Sequence, residues 1–157
     1  MKKNLLNICV IITVLQLITA CTASTDGGAG ISLIKAVNPD PLSTEGNDNA
    51  EEIANNVKET VLADNNIYDC IVIKGKKEVL VAYKVRHMKR FRMKDIEKKL
   101  KKQLEKKFPD EKFTVSSDYK IFLEAYRLKT LVENEEYSIN DAEKRLKEII
   151  KLSREKT

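Results

Sequence analysis

The chain has 157 residues, with 29 Lys+Arg against 24 Asp+Glu, a single histidine and no tryptophan. That length suits one domain with a hydrophobic core and not two large ones. At 34% charged and 42% hydrophobic the composition is globular, neither collagen-like nor disordered throughout, and one histidine excludes a multi-histidine metal site.

The first residues read as a targeting segment. Met1-Lys2-Lys3-Asn4 is a short basic region, and Leu5 to Leu17 is an apolar run too short to span a bilayer core of roughly 30 Å comfortably. It ends in Ile18-Thr19-Ala20-Cys21. A branched apolar residue, two small residues and a cysteine resemble the lipobox of bacterial lipoproteins. The resemblance implies a signal peptide over residues 1–20, cleavage after Ala20, and a diacylglyceryl group on the Cys21 thiol. Two acyl chains, at about 0.8 kcal/mol per buried methylene, would hold the protein stably at a membrane. After cleavage 27 bases face 24 acids, a net charge of +3. Cys9 would leave with the signal and Cys21 would carry lipid, so Cys70 stands alone and no intramolecular disulfide is expected.

Residues 21–48 read as the lipidated cysteine and a flexible acidic tether. Four of the five glycines and two of the three prolines lie there. Gly27-Gly28-Ala29-Gly30 and Asn38-Pro39-Asp40-Pro41 oppose regular structure. The exception is Ile31-Ser32-Leu33-Ile34, an apolar run that would suit an edge strand.

The domain is expected over residues 49–157. Asn49 is a candidate N-cap, with Glu51 and Glu52 at the positive end of a helix carrying Ile53, Val57 and Val61. Tyr68 to Ile73 is a β-rich run, Lys74-Gly75-Lys76-Lys77 a turn, and Glu78 to Val85 a second run with Val79, Val81, Tyr83 and Val85 on one face. Together they predict a hairpin. A helix is predicted from about Arg92 to Phe108 on the stripe Met93, Ile96, Leu100, Leu104, Phe108, stopped by Pro109. Lys112 to Ser116 suits a short strand. Ser116-Ser117-Asp118 offers a cap for a helix bearing Ile121, Phe122, Ala125, Leu128 and Val132. Ser138 with Asp141 resembles a capping box for a last helix with Ala142, Leu146, Ile149 and Ile150. The expected fold class is α+β. It is a small two-layer domain of α-β-β-α-β order, with a three-stranded sheet covered by helices on one face and two additional C-terminal helices.

Charge is uneven along the chain. Residues 22–52 carry one base and six acids, whereas residues 74–107 carry fifteen bases and four acids, a net of +11. The hairpin turn and second helix are expected to form one cationic surface, with Lys74, Lys76, Lys77, Lys94, Lys98, Lys101 and Lys102 as candidate contacts. Its partners would be anionic lipid headgroups, a wall polymer or an acidic protein. The aromatics Tyr83, Phe91 and Phe108 fall where a core would take them. Nucleic acid is not expected for a lipid-anchored exported protein.

Catalytic patterns are lacking. The hairpin register predicted by a turn near Gly75 sets Cys70 opposite Val81, some 20 Å along the strand from His87 and too far for a Cys–His pair. Cys70 reads as a small buried hydrophobe. No glycine-rich phosphate loop and no zinc ligand set occur in the sequence. Glu133, Glu135 and Glu136 read as a solvated loop. Neither enzyme activity nor a cofactor is expected.

Within Ala63 to Leu128, Ile67-Tyr68-Asp69-Cys70-Ile71-Val72-Ile73, Val79-Leu80-Val81-Ala82-Tyr83 and the amphipathic helix are followed by Phe113-Thr114-Val115-Ser116-Ser117-Asp118. With the lipobox and acidic linker, this block resembles the sporulation lipoproteins of endospore-forming Firmicutes, the YhcN/YlaJ type. The resemblance implies a lipoprotein at the spore inner membrane with a role in germination or outgrowth, and it brings no catalytic residue. The expected function is a non-enzymatic, lipid-anchored binding or scaffolding module. The alternative is a self-assembling structural subunit, a homo-oligomer of the ring-building kind that shares the α-β-β-α-β order.

Overall fold

The computed structural model describes residues 38–155. The signal, Ala20, Cys21 and the apolar run at 31–34 lie outside the described residues. In chain order the elements are β1 (Leu42–Ser43), α1 (Asp48–Leu62), β2 (Ile67–Lys74), β3 (Val79–Val85), a 3-10 helix (His87–Arg92), α2 (Met93–Lys107), β4 (Phe113–Ser116), α3 (Tyr119–Glu133) and α4 (Ile139–Glu155).

The fold is α+β, as expected, but the sheet has four strands in the order β1-β2-β3-β4 and not three. The added strand is β1, only two residues long and parallel to β2, with Leu42 against Ile73 and Ser43 against Lys74. It lies in the proline-containing segment whose composition suggests a tether. Two residues are too few to show an alternation, so no period announces this strand. Gly46 follows at φ +66°, and Asn47, not Asn49, caps α1 by accepting from the Ala50 N–H at 2.7 Å.

The hairpin forms where expected, but its register sets Cys70 opposite Tyr83 and Val72 opposite Val81. The segment from Gly75 to Glu78 closes it, and the Gly75 N–H donates to the Glu78 carbonyl. β3 and β4 are parallel, joined by the right of way of α2, with Val79 opposite Phe113 and Ala82 opposite Ser116.

Two layers become three. On one face Cys70, Val72, Val79, Val81 and Tyr83 pack with Val57 and Val61 of α1 and Ile96, Leu100 and Leu104 of α2. On the other, Ile71, Ile73, Leu80 and Ala82 pack with Ile121, Phe122 and Leu128 of α3 and Leu146 and Ile149 of α4. Successive residues of β2 and β3 are apolar, so both faces of the sheet need a cover. The C-terminal helices supply it.

The caps of those helices are as the sequence predicts. Asp118 accepts from the Lys120 and Ile121 N–H groups. The Asp141 N–H donates to Ser138 Oγ, whose hydroxyl donates back to the Asp141 carboxylate at 2.6 Å. Cys70 is fully buried, as read from the sequence.

Candidate functional site

The sheet separates the two parts of the expected cationic surface. The hairpin turn bends toward α4: a Cβ on Gly75 would stand 2.5 Å from Leu146 Cδ2 and 3.0 Å from Glu143 Oε2. The Lys76 N–H donates to Glu143, and Lys77 lines a cleft with Glu78, Lys147 and Arg154. α2 covers the opposite face. Lys76 and Lys77 are exposed, and neither lines the cleft that the α2 lysines line.

Lys74 is not a surface contact at all. Its side chain is 6% exposed, and Nζ meets Glu45 at 2.6 Å and Glu111 at 3.2 Å. It also donates to the Gly75 carbonyl at 3.1 Å. Burial works against its charge, but hydrogen bonds to Glu45 and Glu111 outweigh it and raise the pKa above the usual lysine value. The lysine closes the end of the central strand by joining the loop after β1 to the loop before β4.

The α2 part of the surface is assembled. Lys94, Lys98, Lys101 and Lys102 are all exposed. The first three line a cleft of about 620 Å³ with Met93, Glu97, Ser116, Ser117, Asp118 and Ser153. Lys101 is 4.0 Å from Glu105, whereas Lys94, Lys98 and Lys102 make no ion pair among the described residues. Their solvated charges therefore remain available to an external anion.

Under this cleft lie the titratable groups that burial perturbs. Glu97 has its carboxyl pKa raised by burial, opposed by hydrogen bonds from Ser117 and by Lys101 and Lys94. The Tyr83 hydroxyl is buried without a well-formed hydrogen bond. Burial first, and the Glu97 charge second, push it well above the usual phenol range. Of the two, Glu97 lines the cleft, whereas Tyr83 lies in the core beneath it.

At the same end of the sheet, where β2 begins and β3 and β4 end, a second polar cluster holds the incoming chain. Asp69, 1% exposed, accepts from the Asn38 N–H and pairs with Lys84, each at 2.8 Å. Lys84 Nζ stands 3.8 Å from the centroid of the Phe122 ring and 5.7 Å from that of Tyr119, a cation–π arrangement. Tyr83 and Phe108 pack into or against the core as read from the sequence. Phe91 does not: it is 99% exposed on the 3-10 helix, beside Met88 at 87%. The helix buries none of its residues, so no core is there to receive the ring.

His87 begins that same helix, just past the end of β3, and Cys70 sits buried opposite Tyr83. The two remain apart, though by fewer residues than the sequence-derived register gave. Among the described residues no group of three or more His, Cys, Asp or Glu is placed to hold a metal, and no helix is long and apolar enough to cross a membrane.

The geometry defines a small three-layer α+β protein with a lysine-rich face along one helix. The family model for the sporulation lipoproteins of the YhcN/YlaJ type matches residues 36–151, and the chain belongs to that family. The match begins before β1, so the family domain includes the segment that supplies the edge strand. The protein is accordingly a sporulation-related lipoprotein, of a family whose name places it at a membrane. No curated protein and no solved structure matches the chain.

Proposed function

We propose that the protein is a non-enzymatic module, held extracytoplasmically by lipid on Cys21 at the spore inner membrane, whose α2 face makes a second contact with anionic lipid headgroups. The observation that carries this reading is the row Lys94, Lys98, Lys101 and Lys102, solvated and three of the four lining one cleft. Basic groups near an anionic membrane contribute about 1 kcal/mol each. An acidic protein or wall polymer would meet the same charge but not the lipid anchor beside it. Self-assembly is less favoured, because the edge strands are only two and four residues long, which limits edge-to-edge pairing.

The test is binding of the mature chain, carrying Cys21→Ser in place of the lipid, to vesicles with and without phosphatidylglycerol. Binding is expected on anionic vesicles alone and is lost in high salt. Reversing Lys94, Lys98, Lys101 and Lys102 to glutamate is expected to weaken it at least about tenfold. No binding by the unsubstituted chain would refute the contact and leave the lipid as sole anchor.

The role in the spore is proposed to be in germination or outgrowth, from family membership. A deletion strain should then lose refractility more slowly after a germinant is added. Unchanged kinetics would remove that role.

A further inference from the structure

Four of the five large hydrophobic side chains exposed in the described domain occur at one end. Met88 and Phe91 are 87% and 99% exposed on the 3-10 helix, and Tyr119 and Tyr68 are 54% and 41% exposed. Tyr68 stands at the start of β2, the 3-10 helix follows the end of β3, and Tyr119 opens α3 just after β4. The fifth, Ile139, begins α4, at the opposite end beside Gly46.

Basic residues flank the two most exposed of these side chains in the sequence. Arg86, Lys89, Arg90, Arg92 and Lys94 lie within nine residues that contain no acid. Asp95, in the first turn of α2, is the one exposed acid beside them; Asp69 pairs with Lys84, Asp64 accepts from Asn66 and stands 3.8 Å from Lys99, and Asp118 caps α3. Exposed aromatic and methionine side chains interspersed with Arg and Lys suit the interface of an anionic bilayer. There apolar groups enter the headgroup–acyl boundary and cations remain with the phosphates. A protein partner would have to take five cations out of water along with these apolar side chains, which a headgroup layer does not require.

The chain itself arrives at this end. Asn38 bonds to Asp69, one residue pair from the β3 terminus, before the backbone runs alongside β2 to β1. Only 16 residues separate Cys21 from Asn38, a span of at most about 60 Å even if fully extended. A lipid on Cys21 and the Met88–Phe91 tip can therefore reach the same bilayer.

We infer that the His87–Arg92 helix inserts Met88 and Phe91 into the interfacial layer of an anionic membrane, so that the domain docks by this end. The inference rests on the docking reading above and specifies which surface enters the lipid. Because the chain has no tryptophan, Phe91→Trp supplies a single reporter at an exposed position that the fold does not need, and Ile139→Trp supplies one at the far end. Each is placed in the full mature chain with Cys21→Ser. Each is mixed with phosphatidylcholine vesicles, with or without phosphatidylglycerol, that carry brominated acyl chains, and the bound fraction is measured by sedimentation.

On anionic vesicles the Phe91→Trp emission should move to the blue and lose about half its intensity, as for a ring about 5–10 Å into the interface. Ile139→Trp should keep its emission in water. Sedimentation with the vesicles but no quenching at position 91 would overturn insertion and leave docking by charge intact. Equal quenching at 91 and 139, or on neutral vesicles, would also overturn it. Failure to sediment would remove the docking reading and the insertion with it.

Discussion

Replacing Lys74 by alanine is expected to lower the unfolding free energy by about 3 kcal/mol, the scale for removing one partner of a buried ion pair. The Lys74 side chain is 6% exposed, and those of Glu45 and Glu111 are 23% and 15% exposed. Without the ammonium, two largely desolvated carboxylates face each other unpaired. Water can reach both, which keeps the loss at the low end of the range. Affinity for anionic vesicles should be unchanged as long as the variant is folded, because the lysine reaches no solvent partner. Urea unfolding alongside vesicle sedimentation separates the two roles. A loss of vesicle binding with no loss of stability would show Lys74 to be a surface contact after all.

The protein should also lose stability steeply in alkali. Burial pushes the Cys70 thiol up from 9.0 to about 12, and Lys58 lowers it only in part. Lys74 is raised as well, its partners outweighing burial, and Tyr83 is raised chiefly by burial. In each case the folded state holds its proton to higher pH than the unfolded chain does. Stability from these groups is therefore complete below the unfolded pKa values and declines as pH rises from about 9 toward the folded ones. One such group contributes about 1.4 kcal/mol per pH unit in that window, so Cys70 alone accounts for roughly 2–3 kcal/mol between pH 9 and 11. Equilibrium unfolding over this range should show the slope, and Cys70→Ala should make it shallower whatever that variant costs at neutral pH. An unchanged slope in Cys70→Ala would mean the thiol is not the group responsible.

Local patterns placed most of the elements. The 3-4 spacing of Ile96, Leu100 and Leu104 marks α2, and the Asp118 and Ser138 caps mark where α3 and α4 begin. What local pattern could not show is which faces are covered. Reading β3 by Val79, Val81 and Tyr83 alone leaves Leu80 and Ala82 unexplained, although their apolarity is the signal for a second helical layer. Lys74 looked like its neighbours Lys76 and Lys77 because its partners, Glu45 and Glu111, lie about thirty or more residues away in either direction. Phe91 sits in a 3-10 helix that buries none of its residues, so its ring is left to solvent. The lysines of α2 were legible because a helix fixes which positions share a side. Their separation from the hairpin turn was not, since it depends on the sheet between them.

The way the N-terminal segment is fastened bears on mechanics. Any membrane anchor upstream pulls on Asn38, and that residue is tied to Asp69 on the central strand β2, with Lys58 donating to its carbonyl. Further along, β1 is bonded to β2, and Glu45 is tied to Lys74 at the far end of the same strand. A tug from upstream thus meets the Asn38 anchorage first, and the Glu45–Lys74 anchorage at the other end of the same interior strand once that has yielded.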